Sequence, residues 1–96
     1  MLVLAAGLAI IVPLASRADE RERDAVRQAV QRGEIHSLSD ILAAIRGKLP
    51  GEIAGVEIER KHGRWLYEFR VVDEKGRLFE VYVDAKTATI EQTKEE

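Results

Sequence analysis

The stretch from Gly63 to Ala85, GRWLYEFRVVDEKGRLFEVYVDA, constrains the fold of this chain more than any other part of it. Trp65, Tyr67, Phe69 and Val71 alternate with Leu66, Glu68, Arg70 and Val72, which gives an extended strand one apolar face and one mixed face. Asp73-Glu74-Lys75-Gly76 reads as a hairpin loop, with glycine where a positive φ is expected. Beyond it, Phe79, Val81 and Val83 point one way and Leu78, Glu80, Tyr82 and Asp84 the other. Every aromatic residue of the chain lies in this segment, so the core is centred here.

The flanking residues extend the sheet. Upstream, Val56, Ile58 and Arg60 alternate with Glu57, Glu59 and Lys61, the pattern of a half-buried strand, and His62-Gly63 is a two-residue turn. Downstream, Ala88 to Gln92 can add an edge strand through Ile90. Two helices precede these strands. In Asp19 to Arg32, Ala25, Val26, Ala29 and Val30 form a narrow stripe of small apolar residues, and Gly33 is placed to end the helix. In Leu38 to Leu49, Ser37 caps the first turn, Leu38, Ile41, Leu42, Ile45 and Leu49 form the apolar face, and Pro50-Gly51 is the expected stop. The fold class is therefore α+β: one or two helices packed on one face of a three- to four-stranded antiparallel meander sheet.

The N-terminus has a different character. Leu2 to Leu14 is uncharged and almost wholly apolar, and Ala15-Ser16-Arg17-Ala18 places small residues before the charged run that starts at Asp19. This pattern reads as a secretory signal peptide over residues 1–18, with cleavage after Ala18, although no Lys or Arg precedes the apolar run. The run is shorter than the roughly 20 residues that a membrane-spanning helix needs, so an uncleaved anchor is the weaker reading. Residues 19–36 form the N-terminal helix and linker, and 37–96 the principal domain. The expected location is outside the cytoplasm, periplasmic or extracellular, with membrane attachment only through an uncleaved N-terminal segment.

Composition excludes several functions. With 15 Lys plus Arg against 17 Asp plus Glu, the formal charge of −2 supplies no field for nucleic acid. The absence of cysteine removes disulfides, thiolate catalysis and cysteine-rich zinc sites. His36 and His62 stand far apart without metal-ligand spacing, and no nucleophile has a neighbouring base, so no metal, cofactor or catalytic residue is expected.

The order helix, Pro-Gly, Glu-alternating strand, Gly-Arg-Trp-x-Tyr-Glu, Asp-x-x-Gly and Glu-Val-Tyr-Val-Asp-Ala resembles the PepSY domain family, in its small, exported, single-domain form. The resemblance covers Leu38 to Gln92 and is most specific at Trp65, Tyr67 and Glu68 and from Val81 to Ala85. It implies a non-catalytic regulatory or inhibitory module acting on a peptidase or a membrane sensor protein outside the cytoplasm. One departure stands at Ala88, where the family commonly has glycine. Alanine in a left-handed turn costs about 1 kcal/mol, so a different turn geometry is expected there.

The Trp65, Tyr67 and Phe69 row is assigned to the core, with Trp65 the member most exposed, next to the turn. This leaves the opposite face for a partner, and Glu68, Arg70, Glu80 and Tyr82 are its candidate contact residues, expected to be solvated. The open sheet edge is the second possibility, because unpaired backbone groups invite a partner strand. The alternative function is a self-associating structural accessory of the cell envelope, with the apolar remnant of the first helix or Leu66 and Val72 on the outer face as the contact.

Overall fold

The turn at His62-Gly63 sets the geometry of the sheet. Both residues take positive φ, 52° and 77°, the primed two-residue turn whose twist matches that of the strands it joins. The computed structural model describes residues 14–96. Among them are two helices, α1 (Leu14–Gln31) and α2 (Leu38–Ile45), followed by four strands, β1 (Glu52–Lys61), β2 (Arg64–Val72), β3 (Leu78–Asp84) and β4 (Ile90–Glu95). The strands form one open antiparallel sheet in the order β1-β2-β3-β4. The apolar part of the proposed signal segment falls mainly outside the described residues, and the backbone from Leu14 to Ala18 belongs to α1.

Register fixes the two faces of the sheet. Phe69 lies opposite Val56 on one side and Val81 on the other, and Tyr67 opposite Ile58 and Val83. Side chains directly opposite in a ladder share a face, so these residues make one apolar layer. Ile41 and Ile45 of α2, Ile35 of the linker and Ala29 of α1 complete the core against it. Phe69, Ile41, Ile45, Val71, Val81 and Val83 are fully buried. Trp65 is half-buried beside its turn, under the Arg60 guanidinium at 5.1 Å.

Each helix end has a local cause. Gly33, at φ 72°, ends α1: its N–H donates to the Val30 carbonyl and the Glu34 N–H to that of Ala29, the paired bonds of a left-handed C-terminal cap. Ser37 accepts the Asp40 N–H at 3.2 Å and starts α2. That helix stops at Ile45, earlier than Pro50-Gly51 implies, because Gly47 turns left-handed at φ 76°. Gly51 has another purpose. A Cβ there would lie 2.2 Å from the Val72 carbonyl oxygen, so only glycine lets the start of β1 pass the end of β2. Leu38 and Leu42, expected on the buried face of α2, are each more than one-third exposed, because the sheet beneath covers only the Ile41 and Ile45 side of the helix.

The final turn differs from expectation in the opposite sense. Ala88 keeps the left-handed conformation, φ 61°, despite its Cβ. The turn is imposed by its surroundings: the Ala88 N–H donates to the Asp84 carbonyl, and the Asp84 carboxylate accepts the Lys86 and Thr87 N–H groups. Ala85 is wholly buried, donates to the Trp65 carbonyl and accepts the His36 N–H. The Tyr67 hydroxyl donates to the His36 carbonyl at 3.1 Å. Together these bonds fasten the linker before α2 to the sheet.

Candidate functional site

Both helices lie on the inner face, so among the described residues no element covers the outer one. Alternation and register bring the four candidate residues together there. Glu68 lies opposite Tyr82, and Arg70 opposite Glu80, in adjacent rungs of the β2–β3 ladder. The Tyr82 hydroxyl is 2.9 Å from the Glu80 carboxylate and 3.4 Å from that of Glu68. One hydroxyl proton serves the nearer acceptor better. The bond to Glu80 is the main cause that pushes the Tyr82 phenol up to about 12, with partial burial second. Glu80 itself is held below its ordinary value, first by the neighbouring Glu96 carboxyl and then by the Tyr82 hydroxyl.

Glu68 does not match the expectation of a solvated side chain. It is 8% exposed, whereas Arg70 is exposed. The missing information was the register with β1, which sets Glu57 directly opposite Glu68 and leaves Glu59 one rung away on the same face. Carboxylate oxygens of Glu57, Glu59 and Glu68 all lie within 4.8 Å of one another. A hydrogen bond between the Glu59 and Glu68 carboxyls is the largest cause that pushes Glu68 up to about 7, followed by burial and by the negative charges of Glu59, Glu80 and Glu57. Near neutral pH Glu68 is therefore only partly ionised. Arg70 reaches Glu57 at 3.4 Å and Lys61 reaches Glu59 at 3.4 Å, so the sheet supplies two cations to three carboxylates. The alternation of Glu57 and Glu59 was visible in the sequence, but the cluster required knowledge of which strand pairs with which.

Leu66 also departs from expectation. It is buried and Val72 half-buried, so the outer-face contact imagined for self-association is not exposed at Leu66. Lys61 extends from β1 until its ammonium lies 5.1 Å from the Tyr82 ring on β3, a path that crosses the outer row of β2. At the same end Arg64 donates to Asp84 at 2.8 Å and also to Glu91. Partial burial raises the Asp84 carboxyl, but the Lys86 and Thr87 N–H groups and Arg64 outweigh it and hold the group below the usual carboxylate value.

The sheet order, the covering helices and the Tyr-Val-Asp-Ala end of β3 define a recognisable arrangement, and the family model described as the peptidase propeptide and YPEB domain matches residues 37–93, more than half of the chain. The chain belongs to the PepSY family. Searches of curated proteins and of solved structures gave no match. The PepSY match spans α2 and most of the sheet, through Thr93 in β4, and leaves α1 outside it. Family membership identifies a propeptide-like or regulatory module. Within the PepSY domain the residues that carry the resemblance divide by use: Tyr67, Asp84 and Ala85 hold the linker and last turn, while Glu68 and Tyr82 belong to the outer face.

Proposed function

We propose that this PepSY domain is a non-catalytic binding module that acts outside the cytoplasm and regulates or inhibits a peptidase or a membrane sensor protein. The observation that carries this reading is the outer sheet face. Glu68, Arg70, Glu80 and Tyr82 stand together on it, and it has no covering element among the described residues. A small α+β domain ordinarily needs only one covered face, and the other is then free to meet a partner. The family description, which names peptidase propeptides, supports the partner class. The apolar run Leu2 to Leu14 supports export, and no helix among the described residues is long and apolar enough to cross a membrane.

The test is affinity capture from a cell-envelope extract, with the captured proteins identified and any peptidase assayed for hydrolysis with and without the domain. Wild-type protein is expected to retain a peptidase or sensor that an Arg70→Glu, Glu80→Lys variant does not. Equal capture by the folded variant would remove the outer face from consideration. A self-associating accessory is the competing function, and light scattering at micromolar concentration distinguishes it, since a monomer is expected for a regulatory module.

A further inference from the structure

The sheet has two free edges, and they differ. At one edge, β4 carries Glu91, Lys94 and Glu95, and its residues from Glu91 to Glu95 are exposed and polar. The other edge, β1, has no strand beyond it and, among the described residues, no backbone hydrogen bond outside its ladder with β2. Its inward row shows Ile53 and Val56, 41% and 40% exposed, and the helices leave these residues uncovered. Beside them is a cleft of about 580 Å³ between α1 and β1, walled by Val26, Val56 and Ile58 and rimmed by Glu22, Arg23 and Glu57. Its outward row carries Glu57 and Glu59, with Glu68 behind them. From Glu52 to Glu59 this strand has three carboxylates and no cation.

We infer that the β1 edge accepts an extended partner segment in which apolar and basic residues alternate, added as a fifth strand. The inference rests on the reading of the domain as a binding module and specifies where and what it binds. Backbone pairing along β1 supplies registration, since an open edge presents unpaired N–H and C=O groups. The segment's apolar row fills the cleft over Val56 and Ile58, and its lysines or arginines stand beside Glu57 and Glu59. Antiparallel self-pairing centred on Ile58 is disfavoured, because it sets Glu57 against Glu59 of the second copy. The charges that repel a second copy attract a cationic strand. A partner cation also competes with the proton on Glu68, which lies behind Glu57 and Glu59. The other charged groups on this face, Lys61, Arg70 and Glu80, and the neutral Tyr82 phenol keep their contacts within the sheet.

The test uses the full chain with a synthetic peptide alternating lysine and valine, and its counterpart alternating glutamate and valine. Amide exchange and NMR shifts report the edge used, and titration reports affinity. The basic peptide is expected to protect Glu52–Lys61 amides and leave β4 unchanged, to bind at least about tenfold more tightly than the acidic one, and to bind more tightly at pH 8 than at pH 6. Glu57→Lys, Glu59→Lys should reverse the preference and Glu57→Gln, Glu59→Gln should abolish it, with the fold checked by circular dichroism. Protection on β4, equal binding of the two peptides, or no binding of either overturns the assignment to β1. Binding of an envelope peptidase that survives both double variants would leave the binding-module reading standing and this inference refuted.

Discussion

At Ala88 a methyl group occupies a conformation that favours glycine. The residue sits at φ 61°, where a Cβ crowds the following carbonyl, at a cost of about 1 kcal/mol. The sequence shows this departure, but not its outcome, since Asp84 ties down three successive amides of the turn and leaves no cheaper geometry. Ala88→Gly should therefore raise stability by about 0.5–1 kcal/mol in urea denaturation, the strain relief being partly offset by the freer unfolded chain. An unchanged or lower midpoint would mean that the half-buried methyl contributes more than the strain costs. Gly51 presents the reverse case. It reads as a helix stop in the sequence, yet a Cβ would meet the Val72 carbonyl carbon and oxygen, backbone atoms with no rotamer to yield. Gly51→Ala should destabilise the domain by about 1–3 kcal/mol, as overpacking does, and a loss below 0.5 kcal/mol on that approximate scale would show that the two strand ends move apart freely.

The elements were legible in outline because each has its own period. Two-residue alternation fixed the inward rows of β1, β2 and β3, and the turns at His62-Gly63 and Asp73–Gly76 were marked by their own residues. Periodicity does not say how wide the opposing layer is. The apolar row of α2 includes Leu38, Ile41, Leu42 and Ile45, but the sheet reaches only Ile41 and Ile45, which are 0% and 1% exposed. This contrast predicts unequal costs for the same truncation along one helix. Ile41→Ala should cost about 2–5 kcal/mol, as a cavity in a closed core does, while Leu42→Ala should cost about 1 kcal/mol or less. Thermal unfolding of the two variants decides it, and similar losses would require that Leu42 be covered by something not seen in the isolated chain. Strand register was likewise hidden: Glu57 and Glu68 are 11 positions apart in numbering and meet only because β1 pairs with β2 in one alignment.

For the molecule as a whole, the outer face couples charge to folding, and the two kinds of carboxylate pull in opposite directions. Asp84 and Asp73 have folded values below the ordinary 3.8, so their contribution is present above that value and is lost as pH falls through their folded values. Asp73 is pulled upward by partial burial, but the Arg77 N–H and side chain, with the Lys75 N–H, hold it down. Glu68 behaves oppositely. Its value rises from 4.5 in the unfolded chain to about 7, so between these limits the folded protein binds more protons than the unfolded one. Stability linked to Glu68 is then full below about 4.5 and declines as pH rises to about 7. At roughly 1.4 kcal/mol for each pH unit of such a difference, the decline is at most on the order of 3 kcal/mol. The domain should be most stable in mildly acidic solution, near pH 4 to 5 on this approximate scale, and weaker at pH 8. Glu68→Gln removes a carboxylate pressed among Glu57, Glu59 and Glu80 while keeping its shape and a hydrogen-bond donor for Glu59. Urea midpoints at pH 5, 6, 7 and 8 should fall for the wild type and stay nearly level for the variant, which should be the more stable protein at pH 8. A wild-type midpoint that is level or rises across that range would show that the neighbours of Glu68 do not hold a proton on it, and the outer face would then carry its full negative charge at every physiological pH.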